Sequence, residues 1–186
     1  MKLTLPTLVT LFRISLIPLL VIVFYLPFSW ANLAAACIFA LASLSDYMDG
    51  YLARTLKQES SFGAFLDPVA DKLMVVVAII LLVQANPSPY IALPSLVIVA
   101  REISISALRE WMAEIGSRAT IKVSLPGKAK TATQLFSLLL MIYAEPIHGI
   151  PTFTIGLVCY FLAATFTIVS MFIYLRTAWP IIRKNS

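Results

Sequence analysis

The sequence of 186 residues is 60% hydrophobic and only 12% charged, with a mean hydropathy of +0.92 and a formal net charge of +5. Soluble domains carry about a quarter of their residues as charges, so this composition excludes a soluble globule and requires a lipid environment. The basic excess does not call for nucleic acid, because orientation in a membrane and attraction to anionic headgroups, about 1 kcal/mol per juxtamembrane base, account for it.

Crossing a hydrocarbon core of about 30 Å takes about 20 helical residues. Runs of that kind occur at 8–27, 31–53, 69–85, 90–111, 131–146 and 152–175, between charged or Pro/Gly-rich breaks. The expected fold is therefore an all-α integral membrane protein with six transmembrane helices and a short N-terminal interfacial segment. No composition shift, repeat or low-complexity stretch divides it, so residues 1–186 read as a single domain. The first run is a poor signal peptide, because Arg13 interrupts it and ANLAAAC leads directly into the second. All fourteen Lys and Arg fall at the N-terminus, the second and fourth connections, the C-terminus or the helix ends beside them. The positive-inside rule then makes both termini and the even-numbered connections cytoplasmic. Cys37 and Cys159 lie in apolar stretches and read as small hydrophobes. His148 reads as a solvated loop residue, and Trp30, Tyr90, Trp111 and Trp179 as interfacial anchors.

The segment SDYMDGYLARTLKQESSFGAFLDPVADK is the chemical anomaly. Read as helix, Asp46, Asp49, Gly50 and Ala53 share one stripe, with Arg54 following, and Gly63, Asp67 and Asp71 form a second stripe on the next helix. A connection of about nine residues, Thr55 to Gly63, makes the two helices antiparallel neighbours whose acidic edges can converge. Four crowded carboxylates repel one another unless a cation neutralises them. Oxygen ligands without Cys or His favour Mg²⁺ or Mn²⁺, and four carboxylates can hold two such ions, an arrangement suited to displacement at phosphorus. Each piece has a structural reading as well: Asp67 before Pro68 suits a helix N-cap, Asp46 and Asp49 could pair with Arg54 or Lys57, and Gly50 could be a helix-packing contact.

The pattern Asp46-x2-Asp49-Gly50-x2-Ala53-Arg54-x8-Gly63-x3-Asp67-x3-Asp71 resembles the signature of the CDP-alcohol phosphatidyltransferases, with every signature position filled. The resemblance extends over essentially the whole chain through LPTLVTLFRISLIP, AREISISALREWMAEIG and VSLPGKAKTATQ, and Thr4 stands where an Asn is expected. It implies a site near the cytoplasmic face of a bacterial inner membrane, divalent metal and a homodimer. Metal ligands would be Asp46, Asp49, Asp67 and Asp71; nucleotide contacts Asp46, Gly50, Ala53, Arg54, Gly63 and Asp67; the general base Asp71. The implied substrates are CDP-diacylglycerol and, from the fourth- and fifth-helix segments, sn-glycerol 3-phosphate.

A dianionic acceptor needs cations near the aspartates. Arg101 and Arg109 on the fourth helix, and Lys128 and Lys130 at the start of the fifth, are the candidates. Against that role, Arg109 could balance Glu102 seven residues away, and the lysines could snorkel to headgroups. GKAKT is not a Walker loop, since position 122 is Lys and position 129 is Ala. Another acceptor within the family (inositol phosphate, serine, phosphatidylglycerol) and a cation or proton transporter are the competing readings, the latter because intramembrane carboxylates also mark ion paths.

Overall fold

The computed structural model describes residues 5–56, 61–115 and 125–185, with side chains described outside 5–6, 46–56, 61–65, 67–68, 125–128, 181 and 184–185. The interfacial segment expected ahead of the first helix lies outside these residues. Six helices follow in chain order: α1 Leu5–Phe24, α2 Ala31–Leu56, α3 Ser61–Ala85, α4 Pro89–Glu114, α5 Leu125–Tyr143 and α6 Thr152–Asn185. Among the described residues no strand occurs beyond one isolated bridge between Ile147 and Ile150. This is an all-α membrane protein. The spans Thr7–Phe24, Pro89–Glu114 and Thr152–Pro180 meet the length and apolarity of a membrane crossing on their own. Helices α2, α3 and α5 carry their polar residues toward the 57–60 and 116–124 ends.

Three boundaries lie six or more residues from expectation: α3 starts at 61 instead of 69, α5 starts at 125 instead of 131, and α6 ends at 185 instead of 175. Helix α3 starts at Ser61, so Asp67 and Pro68 lie inside it, not at its start, and the N-cap reading of Asp67 is wrong. The connection to α2 is four residues, 57–60, shorter than the nine expected. Pro68, the eighth residue of α3, forgoes one helical hydrogen bond, to the carbonyl of residue 64. Helix α5 ends at Tyr143 because Ala144 takes a left-handed φ of 58° and returns its N–H to Leu140 at 3.0 Å. A tight turn follows. His148 and Gly149 have φ of 50° and 82°, the two left-handed residues of a primed turn. It is closed by Ile147 N–H to Ile150 O at 3.2 Å and Ile150 N–H to Ile147 O at 2.9 Å.

Each helix buries one face. On α1 the buried stripe runs through Thr7, Thr10, Arg13, Leu16, Leu20 and Val23, a spacing of three to four that matches the helical repeat. Its N-terminal half is polar and its C-terminal half apolar. That stripe packs on α2 and α3, and Tyr25 Oη donates to Gln84 Oε1 at 2.9 Å where α1 and α3 end together. Helices α3, α4, α6 and α5 close a ring: α3 touches α4 and α5, and α6 touches α4 and α5. Across the ring, among the described residues, neither α4 and α5 nor α3 and α6 meet backbone to backbone. Both cysteines are free.

The α5–α6 contact depends on Gly156. A Cβ there would stand 2.8 Å from Met141 Cγ, 3.0 Å from Leu140 Cβ and 3.1 Å from Met141 N. The close approach also lets Ser137 Oγ donate to Gly156 O at 2.9 Å. Gly156→Val should therefore destabilise the fold by about 1–3 kcal/mol through overpacking, read as a lowered thermal unfolding midpoint in detergent. An unchanged midpoint would mean that the two helices separate without cost.

Candidate active site

Helices α3, α4 and α5 line a cavity of about 300 Å³. Helix α3 contributes Asp71, Lys72, Val75 and Val76 to its wall, and α5 contributes Lys130, Thr131, Gln134 and Leu135. Both sets follow the i, i+1, i+4, i+5 pattern of one helical face. Helix α4 adds the stripe Ile98, Arg101, Ile105 and Arg109, with Glu102 and Ser106 beside it. Four of the residues singled out from sequence, Asp71, Arg101, Arg109 and Lys130, thus face one space although they come from three helices.

Among the described residues, cations outnumber carboxylates on this wall. Lys72, Arg101, Arg109 and Lys130 stand against Asp71 and Glu102, four to two. Lys130 is 2% exposed, so it does not snorkel to headgroups; its Nζ donates to Glu102 Oε1. Arg101 Nη1 lies 3.8 Å from Glu102 Oε2, and Arg101 Nη2 donates to Ser170 Oγ of α6 at 3.2 Å. Glu102 therefore serves Lys130 and Arg101. Among the described residues no Arg109–Glu102 ion pair is found; Arg109 instead lies near Tyr174 of α6. Removing an ammonium from water is costly unless it is paired, which explains why Lys130 and Glu102 meet where α4 and α5 are otherwise apart.

The remaining candidates fall on helices whose side chains lie outside the described residues. Asp46, Asp49, Gly50, Ala53 and Arg54 are in α2, Gly63 and Asp67 in α3, and Lys128 in α5. Backbone position is nevertheless informative for the acids. Helices α2 and α3 are neighbours. Asp49 and Asp67 lie about 10 Å, and Asp46 and Asp71 about 15 Å, from the ends that face each other across 57–60, at 1.5 Å per residue. By backbone position the acids of the two helices thus fall at two matching heights, and a purely carboxylate set of that kind would suit a hard divalent cation.

Sequence reasoning passed over Lys72, Ser106, Thr131, Gln134 and the pairing of Glu102. Gln134 had a visible signal, since it follows Lys130 by four residues on one face. Arg13 was read only as a break in an apolar run, yet it is 1% exposed within the bundle.

The family profile described as CDP-alcohol phosphatidyltransferase matches residues 3–178. The chain belongs to the CDP-alcohol phosphatidyltransferase family. Three curated relatives, each named "CDP-diacylglycerol--glycerol-3-phosphate 3-phosphatidyltransferase", are similar to it over nearly their whole length. That of Pectobacterium atrosepticum is 49% identical over 180 residues, covering 96% of both chains. The relative from Yersinia pestis strain Pestoides F is 50% identical over 179 residues, covering 96% of this chain and 97% of its own. The one from Sodalis glossinidius is 49% identical over 180 residues, covering 96% of each. Members of this phosphatidyltransferase family depend on divalent metal.

The Glu102–Lys130 pair can be tested by a double-mutant cycle. Glu102→Gln should leave Lys130 without its counter-charge and destabilise the protein. Lys130→Met added to it should restore part of the loss, giving a coupling of about 0.5–3 kcal/mol from unfolding in detergent. Additive effects would show that the two side chains do not interact.

Proposed function

We infer that the chain transfers the phosphatidyl group of CDP-diacylglycerol to sn-glycerol 3-phosphate, releasing CMP and forming phosphatidylglycerophosphate. The names of the relatives point to this pair of substrates. The observation that carries the reading is the cavity itself, whose wall sets Arg101, Arg109 and Lys130 of α4 and α5 across from Asp71 of α3. Clustered cations suit a phosphate dianion, and a carboxylate on the facing helix suits proton removal from a hydroxyl at the other end of the same molecule.

The residues of the chain divide the work. Arg101, Arg109, Lys130 and Lys128 hold the acceptor phosphate. Asp71 accepts the proton of the primary hydroxyl as its oxygen forms the bond to the lipid-side phosphorus, and the bond from that phosphorus to the CMP oxygen breaks. Gly50, Ala53 and Gly63, lacking bulk, let the nucleotide lie against α2 and α3 near Asp46, Asp67 and Arg54. Asp46, Asp49, Asp67 and Asp71 would hold Mg²⁺ or Mn²⁺, two ions in our reading, which supply charge neutralisation at the diphosphate. The basic residues at the N-terminus, the 57–60 and 116–124 connections and the C-terminus support a cytoplasmic site in a bacterial inner membrane, with both termini on that side. A homodimer completes the reading by family resemblance.

The test is CMP release from CDP-diacylglycerol by the purified protein, with glycerol 3-phosphate compared against inositol phosphate, serine and phosphatidylglycerol. Only glycerol 3-phosphate should support rapid release. Asp71→Asn should lower turnover by about 10²–10⁴ while the protein remains folded and extractable; near-normal turnover would remove Asp71 from the proton-accepting role. Exhaustive chelation should abolish activity and Mg²⁺ or Mn²⁺ should restore it, whereas activity that survives chelation would rule out the metal requirement.

A further inference from the structure

Gln134 is 3% exposed, and its Oε1 is buried without a hydrogen-bond partner among the described residues. Buried amide oxygens without a donor are rare in native proteins and call for an explanation. This one borders the cavity. The terminal torsion of a glutamine side chain is broad, so its amide turns toward that space at little cost.

The surrounding wall narrows what the missing donor is. Lys130, one turn earlier on α5, is directed at Glu102, and the Arg101 Nη atoms across the cavity at Ser170 and Glu102, while Arg101 Nε is likewise buried without a partner. A ligand lodged between the two can supply the donor to Gln134 as a hydroxyl. The next step rests on the acceptor proposed above. Within glycerol 3-phosphate the phosphate oxygens accept hydrogen bonds, and the primary hydroxyl gives its proton to Asp71. Only the C2 hydroxyl is left to donate. We propose that Gln134 is a specificity-determining residue whose side-chain carbonyl, unpartnered beside the cavity, accepts the C2 hydroxyl of the acceptor. The site thereby selects a vicinal diol over an acceptor that lacks that hydroxyl. A site built to bond a substrate hydroxyl rejects the analogue without it, because its own polar group is then left unpaired.

The test compares glycerol 3-phosphate with 3-hydroxypropyl phosphate, which keeps the phosphate and the primary hydroxyl. The full chain is assayed in mixed micelles at saturating CDP-diacylglycerol. The wild type should favour glycerol 3-phosphate by about tenfold or more in kcat/KM. Gln134→Leu should lower kcat/KM for glycerol 3-phosphate by about tenfold and leave that for the analogue nearly unchanged, so that the preference collapses. KM for CDP-diacylglycerol should not move. An analogue too slow to turn over is read as a competitive inhibitor, whose Ki the variant should preserve. If Gln134→Leu does not fold, Gln134→Asn, which withdraws the amide by one methylene, should show the same collapse. The proposal is overturned if both acceptors lose activity in equal proportion, as a packing or phosphate role would require, or if the wild type does not distinguish them. A wild type that releases no CMP with glycerol 3-phosphate would overturn the acceptor assignment as well; turnover with an unmoved preference would overturn Gln134 alone.

Discussion

An ammonium group held within a helical bundle must find a counter-charge, and in this protein that requirement joins α4 to α5. The two helices do not meet backbone to backbone among the described residues. What bridges them is Lys130 donating to Glu102, with Arg101 close by on the same carboxylate and anchored in turn to Ser170 of α6. The pair has two consequences. It permits a polar gap inside an apolar bundle, since Lys130 and Arg101 share the Glu102 carboxylate there. It also leaves the wall with more cations than carboxylates, so an anion entering the gap finds positive potential without any helix having to move first.

The apolar half of the bundle supplies the rigidity that such a gap needs. Gly156 lets α6 lie against α5 at the level of Met141, and the Ser137 bond to the Gly156 carbonyl fixes that approach. Tyr160 Oη and Ser95 Oγ, 2.8 Å apart and both buried, tie α6 to α4. Helix α6 is thus the common support for two helices that diverge around the cavity, and its 34 residues extend well past the bilayer thickness. Small and hydroxylated residues at these seams are what a membrane bundle uses where the hydrophobic effect cannot drive association.

How much of this was legible follows from the range over which each feature is determined. Nine of the twelve helix ends lie within three residues of the apolar runs because such runs are local, and turn chemistry such as Ala144 and the His148–Gly149 pair sets limits. The start of α3 lies eight residues ahead of its apolar run because Asp67–Pro68 reads as a strong local stop signal and the helix passes through it. The acidic stripes on α2 and α3 were also readable, being a matter of spacing within two adjacent elements. Glu102 illustrates what was not. Along the sequence its neighbour in register is Arg109, seven residues on; in space its partner is Lys130, 28 residues away, because α4 and α5 flank the same gap. Arg13 and Gln134 were missed for a related reason. Each is an ordinary polar residue until packing removes it from water, and only then does its need for a partner carry information.

The same geometry gives the acceptor a direction. Asp71 lies on the α3 wall, whereas Arg101, Arg109 and Lys130 lie on the α4 and α5 walls opposite. A small molecule with an anion at one end and a hydroxyl at the other has one orientation that satisfies both, anion toward α4 and α5, hydroxyl toward α3. Helix α3 also packs on α2, so the hydroxyl end points toward the pair of helices whose sequence carries Asp46, Asp49, Asp67 and Asp71. In the proposed reaction that is the side from which the lipid diphosphate must present its phosphorus. Acid-bearing helices on one side and base-bearing helices on the other therefore do more than balance charge. They separate the donor from the anionic end of the acceptor, two groups that would otherwise repel, and leave the reacting hydroxyl as the part of the acceptor nearest to both.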